Sequence, residues 1–414
     1  MKRIILTGMS LFSISLYAHP LKVVLTEASL LDEAKIEKLY FDSQTGLAVA
    51  RVNSFQEGIL SRKSHEQGRC GGFETLKVID SAQIKSFEKE FSKSDFQKSI
   101  DQINHRKKVD SVEESNLLNG KSLQRRFKKR RSVSDAIAQI DASKVKGWVD
   151  WLSSFPTRYH KSSSPNKHVV ALKDRLDQEV LSNYPQLKVE TTLIQHTTTP
   201  QQTLRLRIPG TSKSEETVVL GAHLDSIKMG FFGADAAGRS PGSDDDASGS
   251  ASLLEALRLV LKAAPFERSV EFFWYAGEEA GLLGSAEVAK SYNSSGRKVV
   301  GVMQLDMTLF AGSGKGKIAS MTDYTSPELR QLLANINSQY VGVEIVDDKC
   351  GYGCSDHASW YKNGFPTLMP TEATFNQMNK KIHTSDDAVN SSSDFDHAAT
   401  FSKFAVAFVD HLAK

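Results

Sequence analysis

Cysteine is scarce here, with three in 414 residues. That excludes a disulfide-stapled scaffold and leaves metal chemistry to histidine and carboxylate side chains. Long apolar runs are scarce too. The one clear run, Ile4 to about Tyr17, is shorter than the roughly 20 residues that span a bilayer, and no later segment is long and apolar enough. A membrane-embedded protein is therefore not expected. Preceded by Lys2 and Arg3 and followed by Ala18, that run reads as a secretory signal over residues 1–18, which places the protein outside the cell or, in transit, in a periplasm. There is no internal repeat, no linker long enough to divide residues 132–414, and no nucleic-acid recognition motif with interleaved aromatics.

What is present suffices for two or three ordinary domains: 40% hydrophobic and 8% aromatic residues. The net charge of +3 hides an asymmetry, because residues 1–131 are net positive and the remainder net negative. Much of the excess sits in RRFKKRR, Arg125 to Arg131. Such a run could contact phosphate or an anionic surface. Export argues against a genomic partner, and the run lies between a Lys/Ser/Gln/Glu-rich region and a longer acidic one, where a trypsin-like protease reaches flexible chain. Residues 19–131 thus read as a propeptide processed within 125–131. Inside it, HPLKVVLTEASL and LAVARVN look strand-like and SAQIKSFEKEF helical.

From Ser132 onward, apolar strands alternate with amphipathic helices. DASKVKGWVDWLSSF predicts a helix capped by Asp141, and ALKDRLDQEVLSNY another. KVETTLIQ, QTLRLRI and TVVLGAHL predict strands, followed by a helix from Ala247 to Ala264, strand SVEFFWYA, helix LLGSAEVAKSY and strand KVVGVMQLDM. Helices over SPELRQLLANINSQY and SDHASWYKNG, a strand at FPTLMP and a terminal helix DHAATFSKFAVAFVDHLA complete the order. This is an α/β pattern, a mostly parallel twisted central sheet with helices on both faces.

The polar residues collect where those strands end. VVLGAH stops at His223, SVEFFWYAGEE runs into Glu278 and Glu279, and VMQLDM ends at Asp306. Ligands of open α/β sheets bind outside the carboxyl ends of the strands, so these groups converge. The loop PGSDDDASG brings Asp244, Asp245 and Asp246 to the same edge, and His383 in KKIHTSDDA follows the last strand. One aspartate would cap the next helix; three like charges beside two glutamates ask for divalent cations. The nitrogen and oxygen donors suit zinc, with cobalt and manganese acceptable in vitro. Of two adjacent glutamates, one can bind metal while the other stays free as a base for the water that the metal acidifies. That is the arrangement of a metallohydrolase.

GAHLDS, PGSDDDASG, YAGEEAGLLGS, QLDMT, CGYGCSDHASW and KIHTSDD, in this order, resemble the zinc aminopeptidases of the M28 peptidase family, especially the secreted bacterial leucyl aminopeptidases. The likeness covers about residues 132–414 and implies the zinc exopeptidase fold with two Zn²⁺ ions. It places the bridging ligand at Asp245, one zinc on His223 and Asp306, the other on Glu279 and His383, and the general base at Glu278. Asp225 matches a carboxylate that orients the metal-binding histidine. Met307, Tyr352, Phe375 and Ile382 match the apolar pocket for the substrate's first side chain, with Thr371 where the family has an aromatic residue, and Tyr352 or a zinc would stabilise an oxyanion. A Cys350–Cys354 disulfide is implied as well, leaving Cys70 in the propeptide. The expected activity is removal of apolar residues from peptides with a free amino terminus, by a monomer activated by a processing protease. A carboxypeptidase or an amidohydrolase acting on N-acylated amino acids is the alternative; no arginine in these motifs awaits a terminal carboxylate, and Lys380 and Lys381 are unassigned. Glutaminyl cyclases share the likeness with a single zinc. A non-catalytic binding module would lack Glu278 or a bridging carboxylate, and neither is missing.

Overall fold

The computed structural model describes residues 21–66, 73–79, 92–104, 129–230 and 233–414. The expected secretory signal, Cys70, SAQIKSFEKEF and residues 125–128 of the basic run lie outside the described residues.

The N-terminal part builds its own small sheet. Strands β1 (Leu21–Glu27), β2 (Lys38–Phe41), β3 (Leu47–Val52) and β4 (Phe73–Ile79) pair antiparallel in the order β2-β3-β1-β4. In β1, Val24 packs with Ala48, Ala50 and Leu60 on one side, while Val23 and Leu25 pack with Val49, Phe96 and Ile100 on the other. Period-two alternation thus gives this unit two thin cores.

Residues 129–414 form the α/β body. Its strands β5 (Glu190–Ile194), β6 (Thr203–Ile208), β7 (Lys213–His223), β10 (Arg268–Tyr275), β11 (Lys298–Gln304) and β14 (Thr367–Leu368) make a six-stranded sheet, with the two-residue pair β8 (Met229–Gly230) and β9 (Gly233–Ala234) outside it. The order is β14-β11-β7-β10-β6-β5. β14, β11, β7 and β10 run parallel, but β6 is antiparallel to β10 and β5 to β6. The mostly parallel sheet expected from sequence is therefore mixed. No helix lies between β5 and β6, and parallel pairing needs such a crossover.

Alternation within the strands explains the layers. Val218, Leu220 and Ala222 of β7 and Phe272 and Trp274 of β10 join the core under helices Ala142–Ser153, Ala247–Ala263 and Phe395–Ala413. Val219, Phe273 and Tyr275 face the other way, against Val288, Tyr292 and Trp360 of helices Leu283–Ser294 and His357–Lys362. A sheet apolar on both faces has to be covered on both. Helix starts are capped by Asp141, Asp246 and Asp394, which accept from Ser143 N, Gly249 N and His397 N.

The predicted strand FPTLMP divides. Thr367–Leu368 pairs with β11, whereas β15 (Pro370–Thr371) pairs with β12 (Lys317–Met321), which also pairs with β13 (Glu344–Asp348) in a second small sheet. This switch carries the chain from the edge of the main sheet to the wall of a cleft. At the body's other end, Arg130 donates from Nη1 to Asp410 Oδ1 (2.6 Å) and from its backbone N–H to the Tyr340 hydroxyl (2.7 Å). The helix Arg131–Ile137 then buries Val133 and Ile137.

Candidate active site

Three neighbouring strands deliver donors at one edge. β7 ends on His223. β10 ends at Tyr275 and passes through Ala276 and Gly277 (φ 62°) into the single turn Glu278–Ala280. β11 ends at Gln304, and Asp306 follows shortly after. Asp244–Asp246 immediately precede helix Ala247–Ala263, and His383 (φ 60°) comes from the loop before the last helix.

These residues form two interlocking groups, His223–Asp245–Asp306 and Asp245–Glu279–His383, each with ligand atoms within 4.8 Å of one another. His223 Nε2 is 2.8 Å from Asp245 Oδ1 and 3.6 Å from Asp306 Oδ1. His383 Nε2 is 3.1 Å from Asp245 Oδ2 and 2.9 Å from Glu279 Oε2. Asp245 thus turns one oxygen to each histidine. All five are buried, as is Glu278.

Burial pushes Glu278 well above the usual carboxylate range and lifts Glu279 to about 7. It acts on Asp245 in the same direction, but hydrogen bonds from His223 and His383 outweigh it and hold Asp245 below that range. Burial disfavours charge on His223 and His383, yet Asp306 beside the first and Glu279 beside the second raise both well above an ordinary histidine. A concentration of buried acids around two imidazoles is what divalent cations neutralise. The donor set fits them: mixed nitrogen and oxygen atoms in two groups of three, with Asp306 Oδ1 and Glu278 Oε2 lacking a hydrogen-bond partner among the described residues.

The other carboxylates hold backbone. Asp246 accepts from His223 N (3.1 Å), Gly249 N (2.8 Å) and Met307 N (3.3 Å), so it joins two ligand strands to the helix start. Asp244 accepts from Leu309 N and Asn379 Nδ2, each at 3.0 Å. Asp225 accepts from Glu278 N (3.0 Å) and Glu279 N (3.3 Å), and its Oδ1 lies 3.5 Å from His223 Nδ1. The acidic run is therefore one donor between two backbone braces.

Beside Asp306 opens a narrow cleft lined by Met307, Thr371, Phe375 and Ile382 and also by Met369 and Met378. Tyr352 belongs to the same apolar cluster, its ring edge-on to Phe375. Cys350 and Cys354 are disulfide-bonded in its wall, with Cα atoms 6.2 Å apart. The Thr371 hydroxyl donates to the carbonyls of Asp306 (2.9 Å) and Met307 (3.2 Å), so the polar end of this residue is satisfied by backbone.

Sequence reasoning does not single out three supports. Asp387 accepts from the N–H groups of Asp244 and Asp245, both at 3.1 Å; its signal was its place in the KIHTSDD motif. Gln201 Oε1 accepts from Gly277 N (3.0 Å), and Arg158 is wholly buried nearby; neither carries a sequence signal. The N-terminal sheet also touches this site. Thr75 N donates to Gly281 O (3.1 Å), Thr75 Oγ1 and Lys22 Nζ donate to Ala280 O (3.0 and 3.2 Å), and Glu74 pairs with Lys362.

The model of peptidase family M28 matches residues 204–409, a span that includes all five donors and Glu278. A probable leucine aminopeptidase of Trichophyton verrucosum is 39% identical over 293 residues, covering 68% of this chain and 75% of its own length. Leucine aminopeptidase 1 of Emericella nidulans is 37% identical over 295 residues, covering 68% and 73%. The crystal structure of the Legionella pneumophila LapA aminopeptidase superposes with a TM-score of 0.75 at 26% identity, over 95% of this chain and 98% of that one. The chain belongs to peptidase family M28.

Proposed function

We propose that this metallo-exopeptidase removes apolar residues from free peptide amino termini, with zinc at both metal positions and Glu278 as the general base. The observation that carries the reading is the pair of three-donor groups sharing Asp245 beside a mostly apolar cleft. His223 and Asp306 would hold one ion, Glu279 and His383 the other, and Asp245 both; the nitrogen and oxygen donors favour zinc. When bound, such ions polarise a carbonyl and acidify water. Glu278 is next to a metal donor but not in either group, and its Oε2 makes no hydrogen bond among the described residues. It is the carboxylate available to take a proton from the attacking water and return it to the leaving amine. Asp225 orients the Glu278–Glu279 turn and faces His223. The cleft walls, Met307, Thr371, Phe375 and Ile382, take the first side chain, and Tyr352 donates to the oxyanion.

The N-terminal sheet, fastened at Ala280 and Gly281 next to Glu278, supports a propeptide over residues 19–131 that follows a signal over 1–18 and is removed after export. Because Arg130 is tied to Asp410 and Tyr340, the cut is placed upstream of it, in the 125–129 part of the basic run. The mature enzyme acts as a monomer. The test compares leucine amide with N-acetyl-leucine amide: cleavage of the free-amine substrate alone is expected, and equal cleavage of both would overturn the exopeptidase assignment.

A further inference from the structure

Arg158 is fully buried, and its side chain spends its hydrogen bonds on main-chain carbonyls. Nε donates to Leu224 O (2.8 Å), Nη1 to Pro241 O (2.5 Å) and Leu152 O (3.2 Å), and Nη2 to Gly242 O (3.0 Å). Buried arginines usually pair with carboxylates. Here the acceptors have another property in common. Leu224 directly follows the donor His223, and Pro241 and Gly242 open the loop that presents Asp245. One planar fork therefore ties together the two segments whose side chains meet at 2.8 Å in the first three-donor group.

A second tie reinforces it. Arg158 N donates to Ser226 Oγ (3.2 Å), which itself donates to Ser240 O (2.8 Å), so the same two segments are joined again. Gly242 has φ 51°, and a Cβ there would lie 2.9 Å from Arg158 Nη2 and 2.4 Å from Asp245 O. Glycine thus keeps open the close approach of the fork to the aspartate loop. The charge is also useful where it stands: Asp387, Asp246, Asp225 and Asp245 all act on the guanidinium electrostatically, opposing the penalty of burying it.

We propose that Arg158 is a positioning residue for the metal centre, whose guanidinium fork fixes the spacing of the His223 and Asp245 segments and so sets metal affinity at the His223–Asp245–Asp306 position. This rests on the two-metal reading above. It goes beyond that reading by assigning the position's affinity to a group that touches neither ion. Supports of this kind typically change metal affinity by about 10- to 100-fold.

The test uses the mature enzyme and two substitutions. Arg158→Lys keeps the charge but, with a single ammonium, cannot bridge carbonyls on three segments. Gly242→Ala leaves the arginine in place and disturbs the loop end of the tie, since its Cβ would meet Asp245 O (2.4 Å) and Ser226 Cβ (2.6 Å) as well as the fork (2.9 Å). Metal content per folded molecule is titrated against a competing chelator, with kcat and KM measured at saturating zinc. For both variants the ion at the His223–Asp245–Asp306 position should be lost about 10- to 100-fold more readily, the other, which shares Asp245 but keeps Glu279 and His383, should be weakened less, KM should stay near wild type, and excess zinc should restore kcat. If Arg158→Lys does not fold, Ser226→Ala replaces it, because it removes the second tie without touching the guanidinium, and a smaller loss of the same ion is expected. Variants that melt earlier yet hold both ions as tightly as wild type would show a merely structural role and overturn the proposal. A wild-type enzyme that itself holds fewer than two ions would instead overturn the metal reading.

Discussion

Asp225→Asn probes the turn that carries Glu278 and Glu279. In the wild type both oxygens of a buried carboxylate receive backbone N–H groups, Glu278 N at 3.0 Å and Glu279 N at 3.3 Å. Asparagine keeps one acceptor and replaces the other with an NH₂ that confronts an N–H. One buried donor is left without a partner, which costs about 1–3 kcal/mol. If that strain is relieved by displacing the turn, the equilibrium holding it in place shifts by roughly 5- to 150-fold, at about 1.4 kcal/mol per tenfold. The damage should fall on kcat and on retention of the Glu279–His383 ion, with a smaller effect on the other ion through His223 Nδ1, 3.5 Å from Asp225 Oδ1. KM should change little, because Met307, Phe375 and Ile382 belong to other segments. Steady-state kinetics with and without added zinc, alongside metal content after dialysis against a chelator, separate the two effects. A variant with wild-type kcat and both ions retained would refute the claim that Asp225 positions this turn.

Processing should raise activity: trypsin-type cleavage within residues 125–129 is expected to increase turnover, and Lys22→Ala, which removes a contact to Ala280 O, should raise the activity of the uncut chain. Full activity in an intact precursor would contradict this. Glu287 supplies a pH-dependent stability test. Although burial pushes its pKa up, His196 and the hydroxyl and N–H groups of Thr197 and Thr198 bring it down to about 2. A depressed carboxylate stabilises the fold above its unfolded value near 4.3 and stops doing so as pH falls through about 2. Allowing for its partial exposure, Glu287→Gln should cost about 1–2 kcal/mol at pH 7. That difference should shrink in thermal melts between about pH 4.3 and 2, and a pH-independent difference would contradict the assignment.

The strands that deliver the donors were legible because each is an apolar run that stops at a polar residue: His223, the Gly277–Glu279 turn, Asp306. Periodicity also revealed the long helices with their Asp141 and Asp246 caps. The direction of β5 and β6 was not legible from their composition; the information lay in the missing helix between them. β12 and β13 are not legible in sequence: β12 is five residues long with the small Ala319 and Ser320 at its centre, although four of its positions are buried, and β13 has no buried position at all. In the cleft, Met369 and Met378 look in sequence like any apolar residue. Arg158 shows the limit most clearly. Its partners are carbonyl oxygens, which every residue has, so no pattern of side chains could announce it.

A two-metal centre at which Glu278 moves the proton is tested most directly by one substitution. Glu278→Gln leaves all five donors in place and nearly preserves size, so metal content and turnover on leucine amide can be read from one preparation. Two ions per chain, near-normal KM, and turnover reduced by roughly 10²- to 10⁴-fold are expected. Near-normal turnover with both ions bound would remove Glu278 from the base role, and fewer than two ions in the active wild-type enzyme would contradict the centre itself.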